Sequence, residues 1–172
     1  MKDNLLKKIT DKSATVGIIG LGYVGLPLII RFAEEKFKVI GFDIDTEKCR
    51  ALNSGESYIR HISAEFIQNS LKNGFTATSS WEKISDVDCM LICVPTPLGI
   101  NNTPDLQYIH NTLKAICEFL KKGQLLILES TTYPGTTDEE LVPVVENQGF
   151  QIGNDFFIAY SPEREDPGNP KY

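Results

Sequence analysis

Short runs of apolar residues alternate along the chain with longer segments whose apolar residues recur at helical spacing. The run 87–94 is apolar except for Asp88, as expected for a strand that a parallel sheet buries on both faces. The predicted strands are 15–20, 37–42, 75–78, 87–94, 124–129 and 155–160. The predicted helices are 3–12, 22–36, 46–53, 63–72, 104–121 and 138–147, with a single helical turn at 81–85. This alternation predicts one doubly wound α/β domain over residues 1–172, with a mainly parallel sheet and helices on both faces.

The first predicted strand runs into a glycine series, Gly20-Leu-Gly-Tyr-Val-Gly25, at the start of the first predicted helix. In this setting Gly20 permits a sharp turn, Gly22 lets a diphosphate approach the backbone, and Gly25 permits close packing of helix on sheet. The helix N-terminus offers unpaired N–H groups and a positive dipole end. Asp43 ends the second predicted strand, 18 residues after the last glycine. An acidic residue near this spacing binds ribose hydroxyls, so the pattern predicts a Rossmann-like, dinucleotide-binding fold.

Composition and charge narrow the function further. The 172 residues are 41% hydrophobic and 23% charged, which is ordinary for a globular protein. The formal net charge is −6 and the basic residues are scattered, which argues against a nucleic-acid partner. No apolar run reaches the ~20 residues of a membrane span, and residues 1–12 lack the apolar centre of a signal peptide. We therefore expect no membrane association and a cytoplasmic location.

The cysteines and histidines show no ligand-like spacing. No Cys-x-x-Cys pair is present, and no two of these residues have the spacing of a metal site. The residues concerned are Cys49, Cys89, Cys93, Cys117, His61 and His110. We expect buried structural thiols, ordinary polar histidines and no metal centre.

Polar and turn-forming residues collect where the predicted strands end. In an open parallel sheet the ligand lies beyond the carboxyl ends of the strands. The stretches that fall there are Gly20–Gly25, Asp43, Pro95–Pro97, Ser130–Thr132 and Ser161–Arg164. Their common position indicates one binding site built from several loops.

Five motifs in order give the chain a specific resemblance. They are Gly20-Leu-Gly-Tyr-Val-Gly-Leu-Pro27, Cys93-Val-Pro-Thr-Pro-Leu98, Glu129-Ser-Thr131, Pro134-Gly-Thr-Thr137, and Ser161-Pro-Glu-Arg164 followed by Pro167-Gly168. Together they resemble the N-terminal domain of the UDP-glucose/GDP-mannose dehydrogenase family. The Pro-Gly-Thr-Thr and Ser-Pro-Glu-Arg forms are most similar to the UDP-N-acetylhexosamine (glucosamine or mannosamine) 6-dehydrogenases. That family oxidises the C6 alcohol of a nucleotide sugar to a carboxylate in two NAD-dependent steps.

The resemblance implies an NAD site and two catalytic residues. The residues expected to contact NAD are Gly20, Gly22, Tyr23, Val24, Gly25, Asp43, Pro95, Thr96, Ser130 and Thr131. Thr131 matches a threonine that helps to hold the catalytic water, and Glu163 matches a glutamate that acts in acid/base or water-positioning work. Other roles stay open: Asp43 as the cap of the helix at 46–53, Thr131 as a partner of loop backbone, and Glu163 as a surface carboxylate.

The family mechanism also needs a cysteine nucleophile from a C-terminal domain, and a lysine and an asparagine from a central helix. The 172 residues contain none of those motifs. We therefore expect this chain to be the NAD-binding half of a longer, homodimeric enzyme that acts on a UDP-sugar, and to bind NAD without turning over substrate. Two alternatives stay open: a non-catalytic NAD-binding or NAD-sensing module, and a different Rossmann dehydrogenase of the 6-phosphogluconate or 3-hydroxyacyl-CoA type.

Overall fold

One parallel sheet forms the centre of the computed structural model, which describes residues 1–99 and 103–162. Its strands are β1 (Thr15–Ile19), β2 (Lys38–Phe42), β3 (Phe75–Thr78), β4 (Cys89–Ile92), β5 (Leu125–Leu128) and β6 (Phe157–Tyr160). Their order across the sheet is β3-β2-β1-β4-β5-β6, and every neighbouring pair is parallel. The chain therefore winds outward from β1 in one direction and from β4 in the other, and the predicted doubly wound fold is confirmed.

Helices cover both faces of the sheet. They are α1 (Lys2–Thr10), α2 (Gly25–Glu34), α3 (Thr46–Asn53), α4 (Ala64–Lys72), α5 (Gln107–Ile116) and α6 (Val142–Glu146). Short 3₁₀ turns occupy Trp81–Asp86 and Cys117–Phe119, and a π-helical turn occupies Thr137–Leu141. All strands and most helices lie where the sequence predicts them, within a few residues at each end.

Alternate residues of the central strands enter two separate apolar cores. Leu91 packs with α2 and α4 on one face, whereas Met90 and Ile92 pack with α5 and α6 on the other. All four residues of β4 are buried. The uninterrupted apolar residues of β4 are therefore explained, because neither face of this strand meets solvent.

The segment after β5 departs from the single predicted helix. The N–H of Val142 donates to Thr137 O, five residues back, so this turn is π-helical before α6 begins. Pro143 has no N–H and lies in the first turn of α6. The proline therefore falls where the backbone changes from a π-helical turn to an α-helix.

Asp155 fixes the loop that leads into β6. Its Oδ1 accepts from the Gln151 N–H at 2.7 Å, and its Oδ2 lies 2.8 Å from Lys122 Nζ. The hydrogen bond from Lys122, followed by that from the Gln151 backbone, holds the pKa of the Asp155 carboxyl below its usual value. Asp155 is thus ionised in the folded chain at a lower pH than in the unfolded chain.

We expect the Asp155→Asn variant to be less stable than the wild type near pH 7, and the difference to vanish in acid. Because the folded pKa is depressed, the stabilisation is complete above the unfolded pKa and is lost as the pH falls through the folded one. Urea unfolding at a series of pH values measures the difference, with exposed Glu118→Gln as the control for loss of one charge. A difference in the free energy of unfolding between wild type and Asp155→Asn that stays constant as the pH falls would contradict a stabilising role for the ionised Asp155.

Candidate functional site

A cleft of about 620 Å³ opens at the carboxyl ends of β1, β2 and β4. It lies where the winding of the sheet reverses between β1 and β4, the position at which such sheets bind ligands. The residues that line it include Gly20, Leu21, Gly22, Tyr23, Asp43, Ile44, Lys48, Trp81, Val94, Pro95, Tyr108 and Asn111. A second cavity of about 620 Å³ lies beside α3, is lined mainly by charged and polar residues, and contains none of the three glycines in its lining.

The glycines between β1 and α2 have three distinct environments. Gly20 has φ of +98°, and a Cβ there would stand 2.7 Å from Cys93 O. A Cβ on Gly25 would stand 1.9 Å from Gly20 O, so α2 approaches β1 more closely than any side chain permits. A Cβ on Gly22 would meet nothing within 4 Å, which leaves open space over its backbone. The turn, the open approach and the close packing therefore fall on the three glycines as predicted.

Backbone donors face this open space. In the part of the chain that the structure describes, the N–H groups of Gly22 and Tyr23 have no acceptor. Val24 precedes the first residue of α2 and makes no side-chain cap. Gly22 and Tyr23 line the cleft just before the N-terminus of the ten-residue helix α2, so the loop places unpaired donors there beside the positive dipole end of the helix.

Asp43 lies at the end of β2 and is 8% exposed. Its Oδ2 accepts from the Leu21 N–H at 3.0 Å, and its Oδ1 accepts from the Asp45 N–H at 3.0 Å. Lys48 Nζ lies 3.6 Å from Oδ2. Asp43 does not cap α3, because Asp45 does so by accepting from the N–H groups of Glu47 and Lys48. The carboxylate of Asp43 is therefore held against the glycine loop and lines the cleft.

Side chains of the loops after β4 and β5 bind each other. Thr96 Oγ1 donates to Thr131 O at 2.7 Å, and Ser130 Oγ donates to Val94 O at 2.7 Å. Pro95, which lies between Val94 and Thr96 in the chain, lines the cleft. The structure thus brings Pro95, Thr96, Ser130 and Thr131 together, with the hydroxyls of Thr96 and Ser130 engaged in holding the two loops.

The far end of the site follows β5 and β6. Thr132 Oγ1 is buried without a hydrogen-bond partner among residues 1–99 and 103–162. Ser161 Oγ donates to Glu129 Oε1 at 3.0 Å, which ties the end of β6 to that of β5. Glu163, Arg164 and Pro167 lie outside the described residues. The catalytic roles predicted for Thr131 and Glu163 therefore stay predictions.

The four cysteines are free thiols, of which Cys49, Cys89 and Cys93 are buried and Cys117 is partly exposed. Burial, followed by the charge of Asp88, raises the pKa of Cys89 to about 11. Burial raises the pKa of Cys49 as well. Because the thiolate is the reactive form, these groups are poor nucleophiles, which agrees with the structural role expected for them. In the described part of the chain no three His, Cys, Asp or Glu residues are grouped as metal ligands.

Sequence reasoning missed two residues that contact the glycine loop from outside. Tyr58 donates its hydroxyl to Leu21 O. His61, which we expected to be an ordinary polar residue, stacks on Tyr23 with ring centroids 5.8 Å apart and planes 26° apart. Both lie in the segment between α3 and α4, more than thirty residues beyond the loop. No short-range pattern signals such a contact.

The strand order, the glycine loop on β1 and the carboxylate at the end of β2 define a dinucleotide-binding domain of the Rossmann type. Residues 14–172 match the model of the UDP-glucose/GDP-mannose dehydrogenase family, NAD binding domain, and the chain belongs to this family. The alternative of a Rossmann dehydrogenase of the 6-phosphogluconate or 3-hydroxyacyl-CoA type is therefore wrong. No helix among the described residues is both long and apolar enough to span a membrane.

Several known proteins are similar to this chain in sequence, and solved structures are similar to it in fold. Protein CapL of Staphylococcus aureus is 40% identical over 156 residues, which is 90% of this chain and 36% of CapL. The UDP-N-acetyl-D-glucosamine 6-dehydrogenase of Pseudomonas aeruginosa is 36% identical over 94% of this chain and 38% of its own length. The structure of the UDP-N-acetyl-mannosamine dehydrogenase Cap5O from Staphylococcus aureus superposes with a TM-score of 0.82 at 35% identity, over 90% of this chain and 38% of that one. The chain thus spans little more than a third of the relatives that it matches.

Proposed function

We propose that this chain binds NAD in the cleft above β1 and β4, as the cofactor-binding part of a longer nucleotide-sugar 6-dehydrogenase. The observation that carries the proposal is the open backbone at Gly22, flanked by free N–H donors and by the Asp43 carboxylate. A diphosphate needs this combination, because its oxygens must come within hydrogen-bond distance of the backbone.

We assign residues in and beside the cleft to the parts of NAD. Gly20, Gly22, Tyr23, Val24 and Gly25 would hold the diphosphate, and Asp43 would accept hydrogen bonds from ribose hydroxyls. The exposed Ile44 and Tyr108 give apolar surface for the adenine at the same rim. Pro95, Thr96, Ser130 and Thr131 would border the nicotinamide, where NAD accepts a hydride from a substrate alcohol.

The proposal for the intact protein rests on the relatives. Those from Pseudomonas aeruginosa and Pyrococcus horikoshii are a UDP-N-acetyl-D-glucosamine 6-dehydrogenase and a UDP-N-acetyl-D-mannosamine dehydrogenase. We infer a UDP-N-acetylhexosamine as the substrate, its C6 alcohol as the oxidised group, and Thr131 and Glu163 as catalytic residues. We also infer a homodimer that works in the cytoplasm, without a nucleic-acid partner. Residues 1–172 would bind NAD but would not oxidise the sugar alone.

Calorimetry with NAD and NADP tests this proposal on the chain itself. We expect NAD to bind and NADP to bind at least about tenfold more weakly, because the Asp43 carboxylate repels a 2′-phosphate. The Asp43→Asn variant should bind NAD more weakly, and the difference between its affinities for NAD and NADP should be smaller than in the wild type. Asp86→Asn, an exposed position on the 3₁₀ turn, controls for loss of one negative charge.

The outcomes separate the proposals for the chain from those for the intact protein. Failure to bind NAD in a folded sample contradicts NAD binding by this chain. Steady formation of NADH from a UDP-N-acetylhexosamine contradicts only the expected inactivity of the isolated domain. NAD binding without catalysis by the full-length protein would instead favour the non-catalytic NAD-binding module.

A further inference from the structure

The segment 56–62 lies against the outer side of the glycine loop. Ile59 and Ile62 anchor it, because they are 5% and 7% exposed and belong to the core shared with α2 and α4. The segment contacts the loop twice beside these anchors: the Tyr58 hydroxyl, just before Ile59, donates to Leu21 O, and the His61 ring, just before Ile62, stacks on Tyr23. The residues between α3 and α4 are therefore a fixed support for the loop.

Both the N–H and the carbonyl of Leu21 are hydrogen-bonded. Its N–H donates to Asp43 Oδ2 at 3.0 Å, and its carbonyl accepts from the Tyr58 hydroxyl. The Leu21 carbonyl and the Gly22 N–H belong to one peptide unit, and in a trans peptide these two groups point in opposite directions. A hydroxyl that fixes the carbonyl toward Tyr58 therefore fixes the Gly22 N–H away from it, on the side of the open space.

Glycine makes such a constraint necessary. A Cβ on Gly22 would meet nothing within 4 Å, and the Gly22 N–H has no acceptor among the described residues, so without the Tyr58 hydrogen bond the Leu21–Gly22 peptide plane would turn with little steric cost. Tyr58 is suited to hold the plane over a wide pH range. Burial, followed by the charge of Asp43, raises the pKa of its phenol, so the hydroxyl remains a donor. Lys48 Nζ lies 5.9 Å from the centre of the same ring, which adds a cation–π contact.

We propose that Tyr58 is a positioning residue for the diphosphate of the dinucleotide: its hydrogen bond to Leu21 O orients the Leu21–Gly22 peptide so that the Gly22 N–H faces the ligand. This inference rests on the proposed binding of NAD in the cleft. It assigns a cofactor-binding role to the segment between α3 and α4, which lies outside the strand–loop–helix unit that carries the glycine series.

The Tyr58→Phe variant removes the hydroxyl and keeps the ring. We expect its affinities for NAD, ADP-ribose and ADP to fall by the same factor, about threefold to tenfold, since one hydrogen bond is lost and all three ligands carry the diphosphate. Adenosine binding should not change, because adenosine makes no contact with Gly22. Tyr160→Phe is the matched control, since Tyr160 is an exposed tyrosine at the end of β6 and outside the cleft lining.

Two results would overturn the role of Tyr58. One is an ADP affinity equal to that of the wild type, and the other is a loss of adenosine affinity as large as that of ADP, which would indicate general damage to the cleft. A ligand-free readout separates this proposal from the binding proposal. In the ¹⁵N–¹H spectrum, Tyr58→Phe should shift the Gly22 amide signal, because the lost hydrogen bond is on the carbonyl of the same peptide unit, whereas Tyr160→Phe should not. An unchanged Gly22 signal overturns the role of Tyr58 even if the wild type binds no nucleotide.

Discussion

The Gly22→Ala variant should lose most of its affinity for NAD and keep its fold. A Cβ at this position would project into the open space over the backbone, where no protein atom lies within 4 Å. We propose that the diphosphate occupies this space, so the methyl group would push the phosphate oxygens away from the N–H donors of the loop. Hydrogen bonds to charged groups contribute about 1.5–3 kcal/mol, and losing one or two of them lowers the affinity by about tenfold to a hundredfold or more.

The same substitution should leave stability unchanged or slightly improved. Gly22 is not among the glycines with positive φ, so alanine can adopt its conformation. Replacing glycine by alanine at such a position raises the free energy of unfolding by about 0.5 kcal/mol, because the unfolded chain loses freedom. Calorimetry with NAD and urea unfolding of the same sample measure both effects. NAD affinity equal to that of the wild type would show that the diphosphate does not pass over Gly22, and the proposed site would be wrong.

Much of this fold could be predicted because its signals are local. The helix at 46–53 and the strand at 75–78 have the bounds that the sequence predicts, since each is flanked by turn residues and has clear apolar spacing. The glycine series and Asp43 also lie within a short stretch, so their spacing alone indicates the site. The segment at 138–147 was harder, because Pro143 changes the backbone hydrogen bonds only where α6 begins.

The contacts of Tyr58 and His61 with the glycine loop could not be predicted, because they join residues that are distant in the sequence. Tyr58 and His61 follow α3 in a polar stretch with no periodic pattern. Only the path of the chain after α3 brings them back to Leu21 and Tyr23. The hydrogen bond from Thr96 to Thr131 O is similar, because the pairing of β4 with β5 places the two loops side by side. The sequence indicated that these loops share one edge of the sheet, but not that they bind each other.

The Gly25→Ala variant should be strongly destabilised, in contrast to Gly22→Ala. A Cβ at Gly25 would stand 1.9 Å from Gly20 O and 3.0 Å from Ile18 Cγ2. Overpacking of a core costs about 1–3 kcal/mol when side chains can adjust. Here the atom in the way is a backbone oxygen at the end of β1, so either α2 or the glycine loop has to move. We expect the free energy of unfolding to fall by about 3 kcal/mol or more, which lowers Tm by roughly 10 °C in a domain of this size.

Gly22→Ala is the matched control, because it adds the same methyl group to the same loop without a clash. The two variants should therefore lose different properties. Gly22→Ala should lose NAD affinity at normal stability. Gly25→Ala should lose stability, and the fraction that remains folded should bind NAD only if the glycine loop keeps its conformation. Thermal unfolding with and without NAD separates these cases, since a ligand that binds the folded state raises Tm. A Gly25→Ala variant with the wild-type Tm would mean that α2 can move away from β1 at no cost, and that Gly25 is not needed for close packing.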